Sequence, residues 1–281
     1  MTAVPAVAAP IHALLAGAID YAGLFPPASL DPRTALNNYL GYRKGADAWA
    51  LGRFVVSASL LERLPPHEEQ PVPLSVVVGP EVNEDLGRIE GYRQTSYRIE
   101  ALEIKGAPDC TIPRGCALYF EVPLDEVLEQ RLGEIRDAGV LAKVRTGGTA
   151  PEAFPASGAL TRFLIAAAGL KLPFKATAGL HHPVRGSYQL TYQAGAPSGI
   201  MFGYLNLVLA ALLAWIQAGA HDVEAALLET SGDAFRFHAD AMEWRQHRFD
   251  TGLLVQVRQR FFHGFGSCSF REPLDELGLH R

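Results

Sequence analysis

Cysteine is scarce in this chain: Cys110, Cys116 and Cys268 are the only three among 281 residues. No CxxC pair and no histidine at zinc spacing accompanies them, which argues against a zinc module and a disulfide framework. A sparse, odd count fits a reducing cytoplasm, the expected location. Runs of lysine and arginine are missing as well. With 25 basic and 30 acidic residues the formal net charge is −5. A nucleic-acid binder needs a basic face to release counterions, and a membrane-surface protein needs a basic stretch, so neither nucleic acid nor membrane is an expected partner. The opening MTAVPAVAAP carries no cation ahead of its apolar residues, so no signal peptide is expected. No linker or low-complexity stretch divides the chain, and one domain over residues 1–281 is the economical reading.

One long apolar run is present, residues 199–218 (GIMFGYLNLVLAALLAWIQA). Its length would suit a membrane span. It contains Asn206 and Gln217 and has no flanking lysine or arginine, so it predicts a buried helix of a globular fold instead.

Elsewhere short apolar runs alternate with longer amphipathic ones, the pattern of repeated βα units on a parallel sheet. Strands are predicted near 18–24, 53–58, 74–79, 101–107, 117–123, 140–146 and 174–179. Helices are predicted from Asp31, an N-cap followed by Pro32, through Arg43, and over 81–97, 124–137 and 159–168. Seven strands are one short of an eightfold barrel. The eighth is expected at 234–238 (AFRFH), unless 235–249 forms an appended hairpin. The fold class is thus α/β, a (β/α)8 TIM-like barrel, with residues 235–281 as a C-terminal hairpin and helix extension packed on it.

Read with period two, four successive strands carry polar groups on one face. Glu103 pairs with Lys105, Tyr119 with Glu121, Lys143 with Arg145, and Lys175 with Thr177. Strands of a parallel sheet are normally apolar on both faces, so buried charges there must be paired or face a wet pocket. The C-terminal mouth of a barrel is such a pocket. Against Glu103 and Glu121, the cations Lys105, Lys143, Arg145 and Lys175 leave a positive surplus, which favours a small carboxylate or phosphate substrate. A self-satisfied salt-bridge layer is the alternative.

A lysine beside other cations and out of water has its pKa lowered, and a neutral amine can attack a carbonyl. Lys175 is the candidate nucleophile, with Lys143 depressing its pKa or relaying a proton. Arg145, Lys105, Glu103 and Thr177 are candidate substrate contacts. Glu121 is either a general acid/base or a holder of lysine. Gly147, Gly148 and Gly179 either free backbone N–H groups for an anion or make ordinary turns. His181 and His182 follow the seventh strand. Proton transfer near neutral pH is expected of His181 and substrate contact of His182, and without a nearby carboxylate cluster no metal or other cofactor is expected. Asp20 lines the mouth or caps a turn. Cys268 has no histidine beside it in sequence and is not assigned a role.

Three motifs, DYAGLFPPA, FKATAGLHHP and FGSCSF followed by EP, resemble an uncharacterised bacterial protein family, a likeness that implies no activity. FKATAG is also similar to the Lys-Thr-Ser-Thr-Gly strand of class I aldolase barrels of the deoxyribose-phosphate aldolase type. That resemblance implies a Schiff-base lysine at Lys175 and a helper at Lys143, although the helper's strand in that family follows the nucleophile's and here precedes it. Three functional readings stand: an aldolase-like lyase on a small anionic carbonyl metabolite, a barrel isomerase or hydrolase with metal assistance at His181 or His182, and a non-catalytic anion-binding protein. The oligomeric state is left open.

Overall fold

The computed structural model describes residues 7–108 and 115–278, so Cys110 and His280 lie outside the described residues. Eight parallel strands close into a barrel: β1 (Ile19–Tyr21), β2 (Leu51–Ser57), β3 (Val72–Val77), β4 (Tyr97–Lys105), β5 (Ala117–Val122), β6 (Leu141–Arg145), β7 (Phe174–Thr177) and β8 (Phe262–Ser267). Each pairs in parallel with its neighbours in chain order, and β8 pairs with β1 through Ile19 and Phe265 to complete the ring.

Alternation within each strand decides what lies inside the ring. Phe54, Val56, Leu74, Val76, Leu102, Ile104, Phe120, Val144 and Ala176 belong to the outer hydrophobic core, under the helices. On β4 to β7 the intervening residues are the polar ones read from the sequence, while β2 and β3 contribute Val55, Ser75 and Val77. A barrel interior is more often packed with valine, isoleucine and leucine; here it is charged.

Helix α1 (Ala9–Leu15) precedes the ring, and α2 (Pro32–Lys44) follows β1. Asp31 caps α2 by accepting from the backbone N–H groups of Arg33 and Thr34 at 3.0 and 3.1 Å. Helices α3 (Val82–Gly91), α4 (Leu128–Asp137) and α5 (Ser157–Gly169) follow β3, β5 and β6. Helices α3 and α4 are shorter than their predicted spans, with turns taking the ends, whereas α5 extends slightly past its predicted span at both ends. The apolar run forms α6 (Tyr204–Trp215), which packs against α5 and α7 (Ala220–Leu228). Its residues 204–214 are all buried. Asn206 sits there because its amide is fully used, donating to the carbonyls of Ala226 and Glu229 and accepting from the Arg185 amide at 2.8 Å. Among the described residues no helix is long and apolar enough to cross a membrane.

The eighth strand is not where the sequence suggested. Arg236–Phe237 joins Ala241–Trp244 and His247–Asp250 in a three-stranded antiparallel sheet outside the ring, the appended-hairpin alternative. From there α8 (Thr251–Arg260), capped by Asp250 at the Leu253 amide, leads into β8. Residues 235–281 therefore supply a strand of the barrel itself, besides the small sheet and α9 (Arg271–Glu276). The glycines of FHGFGS weaken its strand signal. Gly264 is required by contact: its φ is +134°, and a Cβ there would lie 2.4 Å from the Ala18 carbonyl oxygen of the neighbouring β1.

Candidate active site

Strand register sets the inner charges side by side. Glu121 on β5 lies opposite Lys143 on β6, and Lys143 opposite Lys175 on β7. Asp20 comes in from β1 and Glu103 from β4. The result is one continuous chain of alternating charge. Lys175 Nζ lies 2.5 Å from Asp20 and 2.7 Å from Glu103 Oε1. Glu103 Oε2 lies 2.7 Å from Lys143 Nζ, which in turn lies 2.8 Å from Glu121 Oε2. Glu121 Oε1 accepts from Arg145 Nε at 3.0 Å. Four of the six are almost fully buried, Glu121 is nearly so, and the Arg145 side chain, at 44% exposure, forms the open end.

Three carboxylates thus meet three cations in this chain, and the positive surplus expected from the sequence is absent from it. Asp20 supplies the third carboxylate; it also accepts from the Arg53 amide at 2.7 Å and caps no turn. Lys105 stands apart. It is exposed at the end of β4, beside a cavity of about 650 Å³ that it shares with Glu121, Arg131 and Arg145.

Electrostatics follow from the pairing. Burial alone would lower the Lys175 pKa, but Asp20 and Glu103 outweigh it and hold the ammonium well above the usual lysine range. The expectation of a neutral amine at Lys175 is therefore overturned, because its nearest partners are anions. Burial opposes ionisation of Glu103 too, yet Lys143 and Lys175 keep its pKa well below the ordinary carboxylate range. Glu121 shifts the same way, with Lys143 and Arg145 overcoming burial.

Above the chain opens a cavity of about 330 Å³ at the C-terminal mouth of the barrel. Glu103, Lys143, Arg145, Thr177, His181 and Cys268 line it, and Lys175 is not among the lining residues. Gly148 also borders it, whereas Gly147 and Gly179 pack under Phe154, where a Cβ on Gly147 would come within 2.4 Å of the ring. Beneath, Ser75 donates to Glu103 at 2.6 Å and the Tyr119 ring lies 5.4 Å from Lys175 Nζ. The Tyr119 hydroxyl is hydrogen-bonded to His263 Nδ1 at 2.9 Å.

The two adjacent histidines diverge. His181 turns to the mouth, with Nδ1 3.1 Å from Ser267 Oγ and 3.7 Å from Cys268 Sγ. Burial, with a smaller effect of His182, lowers its pKa to about 4, so the imidazole is neutral at pH 7 and does not titrate there as expected. His182 turns away to Glu276, with Nδ1 2.8 Å from its carboxylate. Cys268, the residue directly after β8, is pushed up to about 11, chiefly by burial. Ser75, Glu272 and Glu276 escaped the sequence reading, which placed Tyr119 on the polar face without giving it a role. Ser75 alternates in phase with the polar positions of its neighbours and could have been found; the two glutamates sit on the short helix just after β8, the barrel strand that the sequence reading did not recognise, so their place beside the mouth gave no signal.

No family of known proteins, no characterised protein and no solved structure gives a match to this chain. The likenesses seen in its motifs therefore rest on those motifs alone. The architecture supports a TIM-like barrel, a fold that commonly houses enzymes.

Proposed function

We propose that the protein is an enzyme that forms a Schiff base with a small carbonyl metabolite bearing a carboxylate or phosphate, as a class I aldolase-like lyase does. Lys143, rather than Lys175, is the nucleophile. The observation that carries this reading is that Lys143 borders the mouth cavity, where Lys175 does not, and has in Glu121, at 2.8 Å, an adjacent proton acceptor.

Arg145 anchors the anionic group of the substrate, since a guanidinium forks onto carboxylate or phosphate and its side chain is free to swing. Doing so draws a cation away from Glu121, whose basicity rises, and Glu121 accepts a proton from Lys143. The neutral amine attacks the carbonyl carbon. A C–N bond forms, and the carbonyl oxygen leaves as water carrying the proton returned by Glu121 and the remaining amine proton that the iminium does not keep. The iminium then serves as the electron sink for cleavage of the Cα–Cβ bond of a β-hydroxy substrate: Glu121 takes the hydroxyl proton, the aldehyde leaves, the enamine is protonated at Cα by the same group, and water hydrolyses the iminium to release the second product and restore Lys143. Lys175 stays charged throughout and keeps Glu103 ionised beside the reacting nitrogen.

Borohydride reduction in the presence of a panel of aldehydes and 2-keto acids, followed by peptide mass spectrometry, tests the reading. A stable adduct is expected on the peptide containing Lys143 and none in K143M. If no carbonyl compound in the panel modifies Lys143, the Schiff-base reading fails.

A further inference from the structure

The loop after β7 and the last helix bring three metal-ligating side chains together beside the mouth. One donor atom from each of His182, Glu272 and Glu276 lies within 4.8 Å of the other two. Glu272 and Glu276 are one turn apart on α9 and share a face. His182 is fixed by stacking on Tyr188, with ring centroids 3.5 Å apart and planes 10° from parallel, and its Nδ1 meets the Glu276 carboxylate. Glu272 is held by the Tyr192 hydroxyl at 2.9 Å.

Charge is the unusual feature. Among the described residues neither carboxylate lies within ion-pairing distance of a lysine or arginine; their charged-type partners are the imidazoles of His181 and His182. Two carboxylates set against imidazoles lack a fixed positive charge. We propose that His182, Glu272 and Glu276 form a binding site for one divalent transition-metal ion of the zinc class. A histidine nitrogen and carboxylate oxygens are donors that zinc accepts, and three protein ligands leave a fourth position open, whereas calcium or magnesium would want an all-oxygen shell. Glu272, Glu276 and Cys268 border an open cleft of about 550 Å³, which gives the ion a path in from solvent. Cys268 also lines the mouth cavity, so the ion would sit one side chain away from the space assigned to the substrate. The site stands whether or not Lys143 forms a Schiff base.

Tag-free protein stripped with EDTA and dialysed is titrated with Zn²⁺ by calorimetry and with Co²⁺ by visible absorption. One equivalent per chain is expected, with Co²⁺ bands of low coordination number. Glu276→Gln and Glu272→Gln, both on the surface helix, should each weaken binding by more than the roughly 10–100-fold that loss of a mere supporting partner costs. The metal-free melting temperature serves as the check on folding. K143M should bind the ion as the unaltered protein does, which separates this site from the Schiff-base reading. Absence of a saturable equivalent in the unaltered protein, or unchanged affinity in both glutamine variants, overturns the proposal.

Discussion

Replacing Lys175 by methionine keeps most of the side-chain volume and removes the cation shared by Asp20 and Glu103. The two carboxylates fare differently. Glu103 retains Lys143 at 2.7 Å, while Asp20 is left with the Arg53 amide as its hydrogen-bonding partner. Stripping a buried charge of its counter-ion costs about 3–5 kcal/mol, because the surviving ion stays desolvated. For a chain of this length about 2 °C of melting temperature is lost per kcal/mol, so K175M should melt about 6–10 °C lower. Lys143→Met should cost less, about 1–3 kcal/mol, since its partners Glu103 and Glu121 keep Lys175 and Arg145 respectively. Asp20→Asn placed in the K175M background removes the orphaned charge and should recover part of the loss. Urea unfolding at pH 7 reads all three. If K175M lies within about 1 kcal/mol of the unaltered protein, or costs less than K143M, the account of the inner chain as one paired unit is refuted.

The same network carries an acid limit. Glu103 and Glu121 have pKa values below their ordinary 4.5, so their contribution is fully present above that pH and is lost as pH falls through the folded values; Glu103→Gln should flatten this limb of the urea midpoint. His263 is lowered from 6.5 to about 4, mainly by burial with a contribution from Arg258, so stability present above pH 6.5 should decline by about 2–3 kcal/mol toward pH 4. His181, lowered to about the same value, adds a slope of its own over this window, so His263→Gln should make the decline shallower without abolishing it, and parallel profiles would count against it. Asn206→Leu strands the Arg185 amide and the Glu229 carbonyl and takes one of two donors from the Ala226 carbonyl, and a loss of about 2–3 kcal/mol is expected in thermal unfolding. Iodoacetamide at pH 8 should label Cys268 about 100-fold more slowly than an ordinary thiol, because a thiol at about 11 is almost wholly protonated there. Mass spectrometry resolves its peptide, and rapid labelling would contradict the burial of the thiol.

What could be read from the chain alone was everything carried by local periodicity. Short apolar runs located seven barrel strands, and period-two alternation on four of them placed Glu103, Glu121, Lys143 and Lys175 on the inner face, because a strand's pleat fixes which side chains share a side whatever lies across from them. The Asp31-Pro32 start of α2 was legible for a similar reason: capping involves only near neighbours in the chain. Partners distant in sequence were not legible. Lys175 looks like an amine among cations until the fold brings Asp20 to it from 155 residues away, and that contact reverses the direction of its pKa. Cys268 acquires a histidine neighbour, and His182 two glutamates, only through β8 and α9. The closing strand itself was hidden, since Gly264, required where the Ala18 backbone comes close, and Gly266 interrupt the apolar pattern by which strands are recognised. Sequence pattern determined which groups face inward. Tertiary closure decided which of them meet, and therefore which carry charge.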